Sequence, residues 1–370
     1  MSTNEGNIIP HVDNPPLIYR PEIQNYGKLI KTSFVGRSPN LKKKARILVV
    51  ACILLLTLIA CENTVQTRKE QKENQDKIKL ENLVTSFEHQ KTSQSFKIVH
   101  AYELFQNYIS RVAKSKNPDD SYLKIYQEEV IDPIYSDCFK DGEFLHMAEP
   151  ILNASPKQLN VGPSHLIEIQ HVIDQIDRQK TDELIKESLI KSSDLLPSGI
   201  ETTVCVLPSK NKHTDMITVG AGKINVLYNP LYTEDTLRAG VAHEYHHSIS
   251  AEKHVRKKTN PTVLDNIIFE GKAVMFEKTV YPDIEFTKID QSYNKENWAK
   301  IEPDLSKVDF NRSLEILMGG NDLPWIYGYS EGYKMVRSYV EENPGVGPAE
   351  WTGISAQEIF EKGHYLEKYQ

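Results

Sequence analysis

A chain of 370 residues, 26% charged and 39% hydrophobic, has a globular composition and enough length for one large core or two modest ones. Its formal net charge of -7 gives no basic surface for a phosphate backbone, which excludes nucleic acid from the expected partners. The four cysteines, Cys52, Cys61, Cys138 and Cys205, form no C-x-x-C pair, which argues against a disulfide scaffold and against a cysteine zinc site. Cys138 and Cys205 could pair in an oxidising compartment, but they read as two buried small thiols.

The amino end reads as an address. Lys42-Lys43-Lys44-Ala45-Arg46 precede ILVVACILLLTLIA at 47–60, an uncharged run of about fourteen residues. A spanning helix needs about 20, so the run suits a signal-peptide core. Leu58-Ile59-Ala60-Cys61 resembles a bacterial lipobox, and polarity begins at once with Glu62. That resemblance implies cleavage before Cys61 and a lipid anchor, palmitate included, on its thiol. The expected location is the extracytoplasmic face of the cell membrane. The rival is an uncleaved anchor with a cytoplasmic tail. The small residue before the cysteine and the abrupt change of polarity favour the lipobox. Residues 1–40 then read as a start-site artefact, with translation beginning near Leu41. The expected organisation is a signal region at 1–60, a polar tether at 61–80 and one folded domain at 81–370.

From about Leu80 to Leu196 apolar residues recur at helical spacing, as in Leu104, Tyr108, Ile109 and Val112, or Leu166, Ile169, Val172 and Ile173. A helical scaffold is expected there. The pattern then turns to strands at Thr202–Leu207, Met216–Val219 and Lys223–Tyr228. The expected fold is α+β and mostly helical, with a small sheet ahead of the next helix.

That helix begins after Thr233, a suitable N-cap, with Glu234 and Asp235 in its first turn. Leu237, Val241, Tyr245 and Ile249 form its core stripe. His243 and His247 fall on another side, behind the small residues Thr236 and Gly240. His243-Glu244-x-x-His247 is the H-E-x-x-H pattern. Residues i and i+4 stand one turn apart, so two imidazoles reach one Zn2+ ion. Glu244 sits about 100° round the helix, where it can take a proton from water at the metal. His246 faces elsewhere and reads as a supporting or surface histidine.

A catalytic zinc site needs a third protein ligand. A histidine six residues after His247 is absent, because that position is Lys253. A second helix, opening at Pro261, carries Glu270 in an apolar setting. Glu270 is the expected ligand. Glu277, two turns on, is the runner-up or a carboxylate supporting a ligand. The small residues Gly271 and Ala273 would let this helix approach the first.

The strings VAHEYHH at 241–247 and D-x-x-x-x-E-G at 265–271 resemble the YjaZ-like predicted zinc-dependent proteases of bacteria. YQEEVIDPIY, LPSGIETTVCVLP and PWIYGYSEGYKMV extend the likeness over about residues 95–370. It implies a zincin-like metallopeptidase with Zn2+ on His243, His247 and Glu270. Glutamate-ligand peptidases often carry an aspartate four residues after the ligand. Here Val274 stands in that place, and Asp265 is the candidate substitute.

Tyr329, one helical turn from Tyr333, is the expected hydrogen-bond donor to a developing oxyanion, against core packing as the alternative. His364 is a weaker candidate, and an amphipathic helix is expected over 355–369. The expected reaction is hydrolysis of a peptide or protein substrate at the cell surface, with Glu244 as base and Lys223–Tyr228 pairing with the substrate backbone. The rivals are a non-catalytic lipoprotein that binds metal or an envelope partner, and an amidase acting on cell-wall peptide.

Overall fold

The computed structural model describes residues 80–155, 159–212, 216–254 and 260–369; the signal region, Cys61 and nearly all of the tether lie outside them. Ile78–Gln370 hold together as one unit by their contacts. The architecture is α+β and mostly helical.

The sheet contains β1 (Val84–Glu88), β2 (Ser95–Val99), β3 (Thr202–Pro208), β4 (Met216–Gly220) and β5 (Lys223–Tyr228) in the order β1-β2-β3-β5-β4. The β1–β2 hairpin corrects the helical expectation for that stretch. Phe96 and Ile98 of β2 are buried and alternate with the polar Ser95 and Lys97, and β2 pairs with β3 more than a hundred residues on. The three later strands fall where expected. β3 is buried throughout, as suits a β-branched run covered on both faces.

The sheet also corrects the expected partner of a substrate. β5 is parallel to β3 on one side and antiparallel to β4 on the other, so its backbone is already paired. The edge strands are β1 and β4, and β4 is the one that faces α2.

Four long helices follow the hairpin: α1 (Arg178–Leu195), α2 (Glu234–Lys253), α3 (Val263–Val280) and α4 (Tyr327–Glu342). Side chains alternate across a strand. Cys205 and its register partner Asn225 therefore share one face, which meets the helix Asp132–Cys138; Asn225 Nδ2 donates to the Cys138 carbonyl. Thr218 and Ile224 share the other face, where α2 lies. Cys138 and Cys205 are joined by a disulfide, with Cα atoms 6.0 Å apart. This corrects the reading of two free thiols: the helix end and β3 meet across the core, a proximity that a spacing of 67 residues cannot reveal.

The stripe Leu237, Val241, Tyr245 and Ile249 is buried, each side chain contributing about 1.5–3 kcal/mol. The Tyr245 hydroxyl lies 2.8 Å from both the Gln94 Oε1 and the Leu196 carbonyl oxygen and shares its one proton between them, pinning α2 to the hairpin turn and to the end of α1.

Thr262, rather than Pro261, caps α3. The 355–369 segment is a helix only over Ala356–Lys362, and a 3-10 turn follows at Tyr365–Tyr369 after a break at His364, which has φ 50°. α4 starts from Ile326, whose backbone is left-handed at φ 48° and ψ 37°.

Candidate metal centre

Thr233 begins α2 with a reciprocal capping box to Thr236, which fixes the first turn and so the phase of the motif. One helical period then brings His243 and His247 onto one face. Their Nε2 atoms are 3.1 Å apart. From α3, Glu270 Oε2 lies 3.1 Å from His247 Nε2 and 3.5 Å from His243 Nε2. His243, His247 and Glu270 thus make a group that can hold a metal ion. Tetrahedral zinc with bonds near 2.0–2.1 Å holds its ligand atoms about 3.3–3.4 Å apart, so three donors at these separations fit the ion.

The wider shell fits as well. His243 Nδ1 donates to Glu277 Oε2 at 2.9 Å, which turns the Nε2 lone pair toward the trio. Glu277 is buried and takes two more hydrogen bonds from Thr287, through its amide at 3.0 Å and its hydroxyl at 2.8 Å. Glu277 therefore supports a histidine rather than joining the trio. Asp265 does not take that role. It caps α3, accepting from the Thr262 amide at 2.7 Å and the Thr262 hydroxyl at 2.6 Å. The heptad step from Glu270 to Glu277 keeps both carboxylates on one face, and the longer glutamate replaces the aspartate absent at Val274.

The electrostatics favour a cation. Burial alone would lower the His243 pKa, but its contacts with Glu270 and Glu277 push it up to about 10. Burial would raise Glu270, yet the charges of His247 and His243 hold it well below the usual carboxylate range. A positive charge between these carboxylates is stabilised, whether a proton or a dication supplies it.

Glu244 is buried beside the trio. Burial raises its carboxyl above the ordinary range, against the pull of His247, His243 and a hydrogen bond from Thr218 at 2.8 Å. A base desolvated in this way is stronger than one in water.

Tyr329, in the first turn of α4, stacks near His243 with ring centroids 6.4 Å apart. Phe269 stacks on His247 at 4.3 Å, and Phe286 lies 6.2 Å from His243. Tyr333 faces away, under the Arg337 guanidinium. His246 is a core residue, between Trp351 and Phe276 and 3.2 Å from the Thr352 hydroxyl. His364 is exposed and paired with Glu367. Thr218, Thr287, Phe269 and Phe286 carry no motif that could have singled them out; the fold alone brings them here.

Residues 181–361 match the family described as predicted Zn-dependent protease (DUF2268). This stretch of the chain is similar to that family. The matched region runs from α1 to the helix Ala356–Lys362, and it contains β3 to β5, the trio, Glu244 and Tyr329. The helices at 105–138 and the β1–β2 hairpin precede it. No curated protein and no solved structure matches the chain.

Proposed function

We propose that the chain is a zinc-dependent peptidase acting at the extracytoplasmic face of the cell membrane. The observation that carries the reading is the convergence of His243, His247 and Glu270 beside the buried carboxylate of Glu244. Zinc held by that trio would act as a Lewis acid on a carbonyl oxygen and on water. Glu244 takes the proton of the attacking water and delivers it to the leaving amine nitrogen as the C–N bond breaks. Tyr329 donates its phenol to the oxygen that gains charge. The β4 edge ahead of Val219, whose carbonyl is taken by the Phe144 amide, offers an extended substrate a backbone to lie against, in place of the internal β5.

Lipid on Cys61 is the proposed anchor. The Cys138–Cys205 disulfide supports the extracytoplasmic location, because such bonds persist in oxidising compartments. A metal-binding lipoprotein without catalysis would need no base, so a hydrogen-bonded Glu244 beside the trio favours the enzyme. Cell-wall peptide is the alternative substrate.

The test is metal analysis of the purified full chain, followed by cleavage of a quenched-fluorescent peptide pool and of cell-wall peptide. About one zinc per chain is expected, lost when His243 and His247 are both changed to alanine. Glu244→Gln should keep the metal and lose turnover by roughly 100- to 10,000-fold. Stoichiometric zinc in the double variant, or parental turnover in Glu244→Gln, sinks the reading.

A further inference from the structure

The Thr218 hydroxyl lies 2.8 Å from Glu244 Oε2 and 2.7 Å from the backbone carbonyl oxygen of the same residue. Nothing in H-E-x-x-H calls for it. Thr218 is buried on β4, on the sheet face that meets α2. The β4–β5 register passes from Thr218 opposite Ile224 to Gly220 opposite Lys223, so Val219 is an extra residue. A bulge breaks the regular pleat and sets the aim of the side chains around it. Its position is fixed from two sides. The Val219 carbonyl accepts from the Phe144 amide at 2.8 Å, and the Gly222 amide donates to Ser248 Oγ at 2.9 Å, one turn beyond Glu244 on α2.

We propose that Thr218 is a positioning residue for Glu244: its hydroxyl holds Oε2 so that Oε1 faces the ligand trio and takes the proton from water. The proposal rests on the peptidase reading above. A hydroxyl has one proton to give. While Glu244 is ionised, that proton goes to Oε2. When the water O–H bond breaks and the proton arrives on Oε1, the hydroxyl can still donate to Oε2 or turn to the carbonyl at 2.7 Å. The carboxyl therefore stays in place until it passes the proton to the leaving nitrogen. Because Thr218 belongs to the β4 edge strand, it also ties the height of the base to the backbone against which an extended substrate would lie.

The experiment compares T218V, which keeps the shape and loses the hydroxyl, with T218S, which keeps the hydroxyl. Both are made in the full chain, in detergent, and assayed on the quenched-fluorescent peptide pool. T218V is expected to lower kcat roughly 10- to 100-fold, a share of the general-base contribution, with KM and zinc content near parental values. T218S is expected to recover to within about threefold of the parent. Crystal structures add a readout independent of turnover: the Glu244 carboxylate shifts or spreads over rotamers in T218V and stays put in T218S. Parental kcat in T218V, or equal loss in both variants, overturns the proposal. If T218V does not fold, T218A against T218S carries the same comparison. A parent chain that cleaves nothing condemns the peptidase reading instead, and the Glu244 rotamer still decides whether Thr218 positions it.

Discussion

Gly271 of α3 and Gly332 of α4 meet backbone to backbone: a Cβ on Gly271 would lie 2.1 Å from the Gly332 carbonyl carbon, and one on Gly332 would lie 2.1 Å from the Ile267 carbonyl oxygen. Gly271 was expected to admit the motif helix, but it admits α4, the helix that brings Tyr329 to His243. Neither backbone can give way locally, so a methyl group must part the helices. Gly271→Ala and Gly332→Ala should each cost about 1–3 kcal/mol or more in urea unfolding. A loss below about 0.5 kcal/mol for either would mean that the crossing is looser than described.

Glu270 and Glu277 should separate in metal affinity. Glu270→Ala removes a ligand atom and should strip zinc at chelator concentrations the parent survives. Glu277→Gln leaves the trio intact but weakens the acceptor for His243 Nδ1, so affinity should fall by roughly 10- to 100-fold. Competition titration with a zinc indicator reads both. The opposite ranking would make Glu277 the ligand.

Tyr329→Phe keeps the ring beside His243 and removes only the hydroxyl. Loss of one oxyanion donor is worth roughly 100- to 1,000-fold in kcat. Zinc content and KM should hold. An unchanged kcat would return Tyr329 to a packing role.

Peptide mapping without reductant should recover Cys138 and Cys205 in one cross-linked fragment. The bond closes a loop with a sequence separation of 67, for which chain entropy gives about 4 kcal/mol of stabilisation. Changing both residues to alanine should lower unfolding stability by roughly 2–4 kcal/mol. Two free thiols at these positions in the folded chain would contradict the pairing.

Cys61→Ser should accumulate as an unprocessed precursor that takes up no labelled fatty acid. Equal labelling of parent and variant would favour an uncleaved anchor.

The motif helix was legible because its signals are local: a Thr233 cap, a four-residue apolar stripe and two histidines one turn apart. The approach of Glu270 to the two histidines was legible from an odd carboxylate in an apolar stretch. The hairpin was not, because Val84–Val99 is short and polar and its partner β3 lies far along the chain. The role of Glu277 stayed open, since spacing cannot tell a carboxylate that binds metal from one that holds a ligand. Thr218 was out of reach entirely. Its partner is set by how β4 crosses α2, and a threonine in a strand is otherwise an ordinary β-former.

Ile326 leads directly into the helix bearing Tyr329, and it is a β-branched residue held at φ 48°. Such a backbone costs of order 1–3 kcal/mol and persists only where its surroundings over-determine it. Here the Ile326 amide donates to Met318, and the Ile326 carbonyl accepts from Ser330. A glycine at this position would relax the chain, and it would also free the first turn of α4 to tilt. Resistance to heat and alignment of the phenol therefore pull in opposite directions at this one residue. A search for hardier variants that accepted the glycine would select a sturdier molecule in which Tyr329 is held less firmly beside His243.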